Sequence, residues 1–219
     1  MRRQNKIVCC FFCGIFYAPL LIGQFKFEKP VVIGKEQGFH FSDLTAPKKG
    51  KDGFIWIGSS AGICRFDGQQ LKTFKLTNDL NSPPFDNTVA TILPVENEIW
   101  AGTSQGVSVM NSSDYTFRHY QLTEKGKSAS LDKKVDQHVS VIFRDRSGTI
   151  WIGARKGIYM YDDKKDDFRF YPHSTKDFPV LFPSLGSDIP ILCIEASQTN
   201  DSAIWAGTPA GLQEINKYT

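Results

Sequence analysis

Two short phrases match the arrangement that serine hydrolases use to present a nucleophile. The phrases GSSAG around Ser60 and GTSQG around Ser104 both follow G-x-S-x-G. In a hydrolase this pattern turns a strand sharply into a helix, which exposes the serine to a histidine and an oxyanion hole. Here each phrase lies between two strand-like segments, and two further copies carry Arg155 and Pro209 at the serine position. A hairpin turn explains all four copies, so neither serine is predicted to be catalytic.

Residues that could hold a metal ion are scattered along the chain. The four histidines are His40, His119, His138 and His173, and their spacing is not that of a zinc site. The acidic run DDKKDD at 162–167 lacks the glycine and the closing glutamate of a calcium loop. It is predicted to be a solvated hairpin tip. The sequence therefore predicts no catalytic residue, no metal site and no cofactor.

All four tryptophans lie in one repeated phrase. Trp56, Trp100, Trp151 and Trp205 each belong to a copy of I-W-[IA]-G-x3-G-[ILV]. Successive tryptophans are 44, 51 and 54 residues apart, a spacing typical of propellers and other repeat arrays. We expect each indole to pack against the neighbouring repeat. The alternative is a row of exposed stacking platforms for sugars or bases.

Each repeat is predicted to form four short strands joined by tight turns. In the third repeat the strands are 139–144, 149–153, 158–161 and 168–171, with glycines at turn positions that need a positive φ. The first repeat gives 54–58, 63–66 and 71–76, and the second gives 89–93, 98–102, 107–110 and 116–121. Four antiparallel strands per repeat of about 50 residues make a propeller blade. The lysines at 48, 49 and 51 are predicted to lie in a solvated turn.

The fold class predicted is therefore an all-β propeller of four four-stranded antiparallel blades, as an open part of a seven-bladed ring. The blades are centred on the four tryptophans and span 24–219, and the last is expected to stop after its third strand. Phe25–Lys29 alternates like the strand at 168–171 and is predicted to be the outer strand of a last blade. We expect the chain to be the beginning of a larger protein.

The first 23 residues have the pattern of a secretory signal peptide. Arg2, Arg3 and Lys6 precede a nearly unbroken apolar run, and Gly23 offers a small residue for cleavage before Gln24. An uncleaved N-terminal anchor stays open, because Leu21 stands where a small residue is usual. The sequence predicts a periplasmic or otherwise exported protein.

Removal of this segment changes the charge and the cysteine content. The chain has 26 basic and 23 acidic residues, and the segment holds three of the basic ones and no acidic one. The remainder is neutral, which argues against a nucleic-acid partner. Of the five cysteines only Cys64 and Cys193 remain, in the first and last repeats. Blades that far apart do not bring two Cα atoms within about 7 Å, so two buried thiols are expected.

The repeats resemble the two-component regulator propeller repeat. The resemblance is carried by DRSGTIWIG at 145–153, DGFIWIG at 52–58 and RFDG at 65–68, and it covers nearly all of 25–219. That family forms the periplasmic sensor region of hybrid histidine kinases, notably in Bacteroidetes. It implies two seven-bladed propellers, a β-sandwich, a membrane helix and a kinase, so most of such a receptor would lie beyond residue 219.

The resemblance implies a ligand-sensing ectodomain that responds to a glycan or similar ligand, with paired ectodomains as a possible homodimer. The alternative is a protein-docking propeller of a cell-envelope secretion system. A propeller lyase is disfavoured, because the sequence offers no convergent set of histidine, glutamate and metal. No single ligand residue is predicted. The candidate segments are Asn78–Asn87, Thr123–Gln137 and Ser174–Pro190, which are longer than a tight turn requires.

Overall fold

The computed structural model describes residues 32–41, 43–45, 47–76, 87–127, 137–172 and 190–218. Contacts divide the chain between Val32 and Ile33, and every described strand lies in the second unit. The predicted signal peptide and the predicted strand Phe25–Lys29 fall outside the described residues, so both stay predictions. None of the residues described forms a helix long and apolar enough to cross a membrane.

Four antiparallel sheets follow one another along the chain, one for each tryptophan phrase. Their strands are, in chain order, β1 Lys48–Lys49, β2 Ile55–Ser59, β3 Gly62–Phe66 and β4 Leu71–Phe74; β5 Val89–Val95, β6 Glu98–Thr103, β7 Gly106–Asn111 and β8 Phe117–Tyr120; β11 Val139–Arg144, β12 Ile150–Ala154, β13 Gly157–Asp162 and β14 Asp167–Pro172; and β15 Cys193–Ala196, β16 Ala203–Thr208 and β17 Gly211–Asn216. A short ribbon, β9 Leu122–Thr123 with β10 Gly126–Lys127, follows the second sheet, and a 3-10 turn spans Lys35–Gln37. Over the described ranges, three sheets have four strands and the fourth has three, which confirms the predicted blades.

The prediction of a solvated turn over the first lysines was wrong for two of them. Lys48 and Lys49 form β1 and pair with Trp56 and Ile55, although both lysine side chains are exposed. The strand is short because the chain turns at once, with the Gly50 N–H donating to the Phe54 carbonyl. An inner strand this short contributes backbone hydrogen bonds but no apolar side chain, so no hydrophobic pattern marks it.

Each buried tryptophan packs into the next sheet along the chain. Trp56 lies in a cluster with Val89 and Ile92 of the second sheet, and Trp100 lies in one with Ile142 of the third. Trp151 packs in the same way into the fourth sheet, in a cluster that contains Ile191, Ile194, Ile204, Ala206 and Ile215. These three side chains have no exposed surface, which confirms packing between blades and excludes stacking platforms at these positions.

The first glycine of the phrase allows the sheets to approach one another. A Cβ placed at Gly58 or Gly102 would lie within 3.0 Å of a methyl group of Val89 or Val139, the first residue of the next inner strand. A Cβ at Gly153 would meet Ile191 in the same way. The tryptophan of the phrase therefore fills the junction between two sheets. The first glycine has no side chain, and this lets the two sheets approach each other.

The second glycine faces the outer strand of its own sheet, and this gives a first prediction. Gly106 has a φ of +127°, and a Cβ there would lie within 3.0 Å of the Tyr120 carbonyl oxygen. Gly106→Ala should lower the free energy of unfolding by about 2–3 kcal/mol, measured by urea denaturation. Gly68→Ala is the control, because Gly68 has a φ of +100° with open space around it; it should cost about 1 kcal/mol. Equal losses would mean that the collision has no role.

Candidate functional site

The serines of the two G-x-S-x-G phrases lie in turns between strands, as expected. Ser60 lies between β2 and β3, and Ser104 lies between β6 and β7. The Ser104 carbonyl accepts hydrogen bonds from the backbone N–H groups of Gln137 and His138, at 2.8 and 3.0 Å. This turn therefore positions the entry of the third inner strand. Neither phrase leads into a helix.

The other residues considered for chemistry are spread over the fold. His119 is half-buried, burial lowers its pKa, and its Nδ1 lies 2.8 Å from the Ser108 hydroxyl. His40 is exposed, His138 is half-buried, and His173 falls outside the described residues. In the part of the chain that the structure covers, no His, Cys, Asp and Glu side chains form a group of three that could hold a metal ion.

The two cysteines differ in their surroundings. Both are free, and Cys64 is buried as expected, with its sulfur 3.4 Å from the Ser59 hydroxyl. Cys193 is exposed, so the prediction of two buried thiols was wrong for this residue. It lies on β15 against Gly207, at the side of the fourth sheet that no other described sheet covers. The equivalent side of each earlier sheet is covered by its successor.

A cleft of about 420 Å³ lies where the second sheet meets the third. It is lined by Gln121, Leu122, Thr123, Glu124, Lys125, Gln137 and Lys156. Four of these residues belong to the candidate segment Thr123–Gln137, and Lys156 comes from the turn between β12 and β13. The described ends of one candidate segment thus line a cleft, while residues 128–136 of that segment fall outside the described residues. The segments Asn78–Asn87 and Ser174–Pro190 fall almost wholly outside the described residues.

The ribbon β9–β10 forms one wall of this cleft and is fastened at its base by a buried amide. The Gln137 side-chain oxygen accepts a hydrogen bond from the Leu122 N–H at 2.6 Å, and its NH₂ group donates to the Leu122 carbonyl. A single side chain thereby satisfies both backbone groups, as a neighbouring strand would. The sequence indicated a connecting segment here but not this ribbon.

A related bond occurs one junction earlier, where the Asn87 side-chain oxygen accepts from the Leu76 N–H at 2.7 Å. Asn87 and Gln137 each stand two residues before the valine that begins the next inner strand. An amide at this fixed distance from the valine was the sequence signal that could have identified both residues.

The second strand of the ribbon, β10, is fastened to the third sheet. The Lys127 N–H donates to the Asp167 carboxylate at 2.7 Å, and the Lys127 ammonium pairs with Asp166 at 2.9 Å. Asp166 also accepts hydrogen bonds from the hydroxyls of Tyr120 and Tyr161, at 2.6 and 2.9 Å. Part of the DDKKDD run therefore holds two blades together at their rim, in a hairpin turn as predicted.

These contacts shift the pKa values of the groups involved. Burial tends to raise the pKa of Asp166, but the hydrogen bonds from Tyr120, Lys127 and Tyr161 outweigh it and hold the value at about 2. Burial, together with the Asp166 carboxylate, raises the pKa of Tyr161 to about 12. The carboxylate stays ionised and the phenols stay protonated at neutral pH, so every donor in this cluster keeps its acceptor.

The buried amide gives a second prediction. Gln137→Ala removes the partner of both Leu122 backbone groups, and we expect the free energy of unfolding to fall by about 2 kcal/mol. The loss should be local, so amide hydrogen exchange at Leu122, Gly126 and Lys127 should quicken more than exchange in β12. Gln198→Ala, at an exposed turn, serves as the control. Unchanged exchange in the ribbon would show that Gln137 does not hold it.

A second polar junction lies between the third and fourth sheets, at the opposite ends of their strands. Asp145 accepts hydrogen bonds from the Trp151 indole N–H and the Lys217 ammonium, at 2.8 and 2.7 Å. The Asp145 and Lys217 side chains are only 1% and 8% exposed. They border a smaller cleft of about 280 Å³ with Ser147, Ser197 and other residues of the two turns.

Burial alone would raise the pKa of Asp145, but the hydrogen bonds from Lys217, Ser147 and Trp151 hold it at about 2.

A carboxylate beside the indole N–H recurs, since Trp56 donates to Asp52 and Trp100 donates to Glu98, each at 3.1 Å. These acidic residues precede their tryptophans by different distances. That variation hid the pattern in the sequence.

The first cleft offers hydroxyl, amide, ammonium and carboxylate groups on walls that are fixed on two sides. Such groups can hydrogen-bond to a polar ligand. The cleft borders the connecting segment between the second and third blades. The second junction is instead occupied by its own ion pair. The first cleft is therefore the candidate binding site.

Neither a family model nor a curated protein sequence matches this chain. In structure it is similar to the extracellular domain of BT3049 from B. thetaiotaomicron, assigned to a hybrid two-component system, with a TM-score of 0.65, 21% identity and 85% of this chain covered. The extracellular domain of BT4673 from the same organism aligns at a TM-score of 0.45 and 17% identity over 87% of this chain and 28% of its own. YCF48 from Cyanidioschyzon merolae aligns at 0.48 and 12% identity over 82% of this chain and 52% of its own.

The last two scores are too low to carry a fold assignment. The likeness to BT3049 does carry one, although this chain spans only 25% of the length of that domain. The fold implied by the resemblance to the two-component regulator propeller repeat is confirmed: the described part of the chain forms β-propeller blades and is similar in structure to the extracellular domain of BT3049.

Proposed function

We propose that this chain is part of the ligand-binding extracellular domain of a two-component sensor, that the domain is exported to the periplasm, and that its ligand is a glycan fragment. The observation that carries the proposal is the cleft of about 420 Å³ between the second and third sheets. Its lining includes Glu124, Lys125 and Lys156, which are exposed and whose charged groups can exchange hydrogen bonds with sugar hydroxyls. The likeness in fold to an extracellular domain supports the same reading.

Signalling by this site would use the fact that its walls belong to two different blades. The ribbon β9–β10 follows the last strand of the second sheet along the chain, while Lys156 lies in a turn of the third sheet. A ligand that contacts both walls stabilises one relative placement of the two blades. In paired ectodomains this change in the relative placement of the blades would be transmitted to the segments that cross the membrane and from there to a kinase. The chain itself would bind without catalysing a reaction.

The test is direct binding to the full chain, prepared from the periplasm of an expression host. Calorimetric titration with a panel of oligosaccharides should yield at least one ligand, and Glu124→Ala together with Lys156→Ala should weaken its binding. Binding that is indifferent to both substitutions would place the ligand elsewhere. No binding by any oligosaccharide would reject the glycan assignment.

Export is tested separately. Fractionation of the host should place the protein in the periplasm, and the N-terminal sequence of the mature protein should begin at Gln24 or at pyroglutamate derived from it. A protein that stays in the cytoplasm would contradict the sensor proposal. Retention of the first 23 residues in the membrane fraction would indicate an uncleaved anchor.

A further inference from the structure

We infer that the cleft between the second and third sheets binds an anionic group, the carboxylate or sulfate of an acidic sugar. This inference rests on the proposed function, since it names the class of glycan that the same site would take. It is carried by two exposed lysines, Lys125 and Lys156, that line one cleft, and by the hydrogen bonds that hold the ribbon on which Lys125 lies.

The two lysines come from two different turns of the chain and line the same cleft. Lys125 lies in the turn of the ribbon β9–β10, and Lys156 lies in the turn between β12 and β13. Both side chains are exposed and both line the cleft. Within the described ranges neither lysine forms an ion pair, whereas Lys127 and Lys217 are each paired with an aspartate. Two lysines that line one cleft and have no carboxylate partner among the described residues attract an anion.

Glu124 does not cancel this charge. Among the described residues that line the cleft it is the one carboxylate against two lysines, so their ionised groups sum to one positive charge. The field of Glu124 also reaches Tyr159, where burial and this carboxylate together raise the pKa of the phenol to about 12. A ligand anion in the cleft would therefore meet more positive than negative charge.

The wall that carries Lys125 is already ordered before any ligand arrives. The Thr123 hydroxyl donates to the Gly126 carbonyl at 2.8 Å and accepts from the Lys125 N–H at 3.2 Å. The ribbon is further held by Gln137 at Leu122 on β9 and by Asp167 at Lys127 on β10. Binding then has to order two lysine side chains but no backbone, which lowers its entropic cost.

The experiment compares acidic and neutral sugars on the full chain. Trigalacturonate, a sulfated chondroitin disaccharide and a neutral galactose trisaccharide are titrated by calorimetry. The variants are Lys125→Gln and Lys156→Gln, with Lys164→Gln as the matched control. Lys164 is an equally exposed lysine in a turn, but it does not line the cleft.

We expect an acidic probe to bind about tenfold more tightly than the neutral one at low salt. Each cleft substitution should weaken that binding by about three- to fivefold. The control should leave it unchanged, and raising the ionic strength to about 0.5 M should remove most of the preference. Preference for trigalacturonate would identify a carboxylate ligand, and preference for the disaccharide would identify a sulfate; either supports the inference.

Two outcomes would overturn the inference. If the neutral sugar binds as tightly as the acidic ones and the cleft lysines have no effect, the inference fails while the proposed function stands. If none of the three sugars binds, and no other oligosaccharide does, both fail together. Loss of binding in Lys164→Gln equal to that in the cleft variants would show a nonspecific charge effect and reject the site.

Discussion

Trp151→Ala is expected to lower the free energy of unfolding by about 4 kcal/mol, which is the upper range for removal of a large buried side chain. Trp151 has no exposed surface and fills the junction between the third and fourth sheets. Its ring also lies 5.6 Å from that of Tyr171 and donates a hydrogen bond to Asp145. Alanine would leave a cavity there and would remove one of the two donors to the Asp145 Oδ2 oxygen, the other being the Lys217 ammonium.

The fourth copy of the tryptophan phrase provides a control for this prediction. Trp205 has the same sequence neighbours as Trp100, but it is only half-buried, because no described sheet packs on it. Trp205→Ala should therefore cost about 1 kcal/mol. Urea denaturation followed by circular dichroism measures both variants without relying on tryptophan fluorescence. Similar losses at the two positions would contradict the view that the indole acts through the next blade.

The contrast between these tryptophans shows what the sequence can and cannot reveal. Four copies of one phrase were enough to predict the blades, the turns and the packing of the indoles, because each copy repeats the same local requirement. Exposure depends on whether a neighbouring sheet is present, which no phrase encodes. The exposed thiol of Cys193 was missed for the same reason, since it lies on the fourth sheet.

The candidate site was predicted only as a segment. Thr123–Gln137 stood out because it is longer than a turn requires, and part of it lines the cleft. Lys156 could not be found in this way, because it lies in a tight turn of a different repeat and reaches the cleft only through the packing of two blades. The ribbon β9–β10 was also missed, since two-residue strands leave no hydrophobic pattern.

The second large effect is expected at Asp145. Asp145→Ala would leave the Lys217 ammonium buried without its carboxylate and the Trp151 indole N–H without an acceptor. It would also remove the acceptor for the backbone N–H groups of Ser147 and Thr149. Removing one partner of a buried pair typically costs about 3–5 kcal/mol, because the other charge cannot be rehydrated.

Two variants separate this penalty from the loss of a side chain. Asp163→Ala, at an exposed turn, should change stability by no more than about 0.5 kcal/mol. Asp145→Ala combined with Lys217→Met should recover part of the loss, because no charge is then left unpaired. If the double variant loses more free energy of unfolding than the two single variants lose together, the penalty is not that of an ammonium left without its carboxylate.

The pH dependence of stability gives an independent measure of the same carboxylate. Its pKa in the folded protein is about 2, below its ordinary value. The ionised form therefore contributes stability that is fully present above the ordinary carboxyl pKa and is lost as the pH falls towards 2. The shift corresponds to about 2 kcal/mol. Urea midpoints measured from pH 5 to pH 2 should fall more steeply in the wild type than in Asp145→Ala, and identical slopes would mean that Asp145 is not held ionised by Lys217 and its other donors.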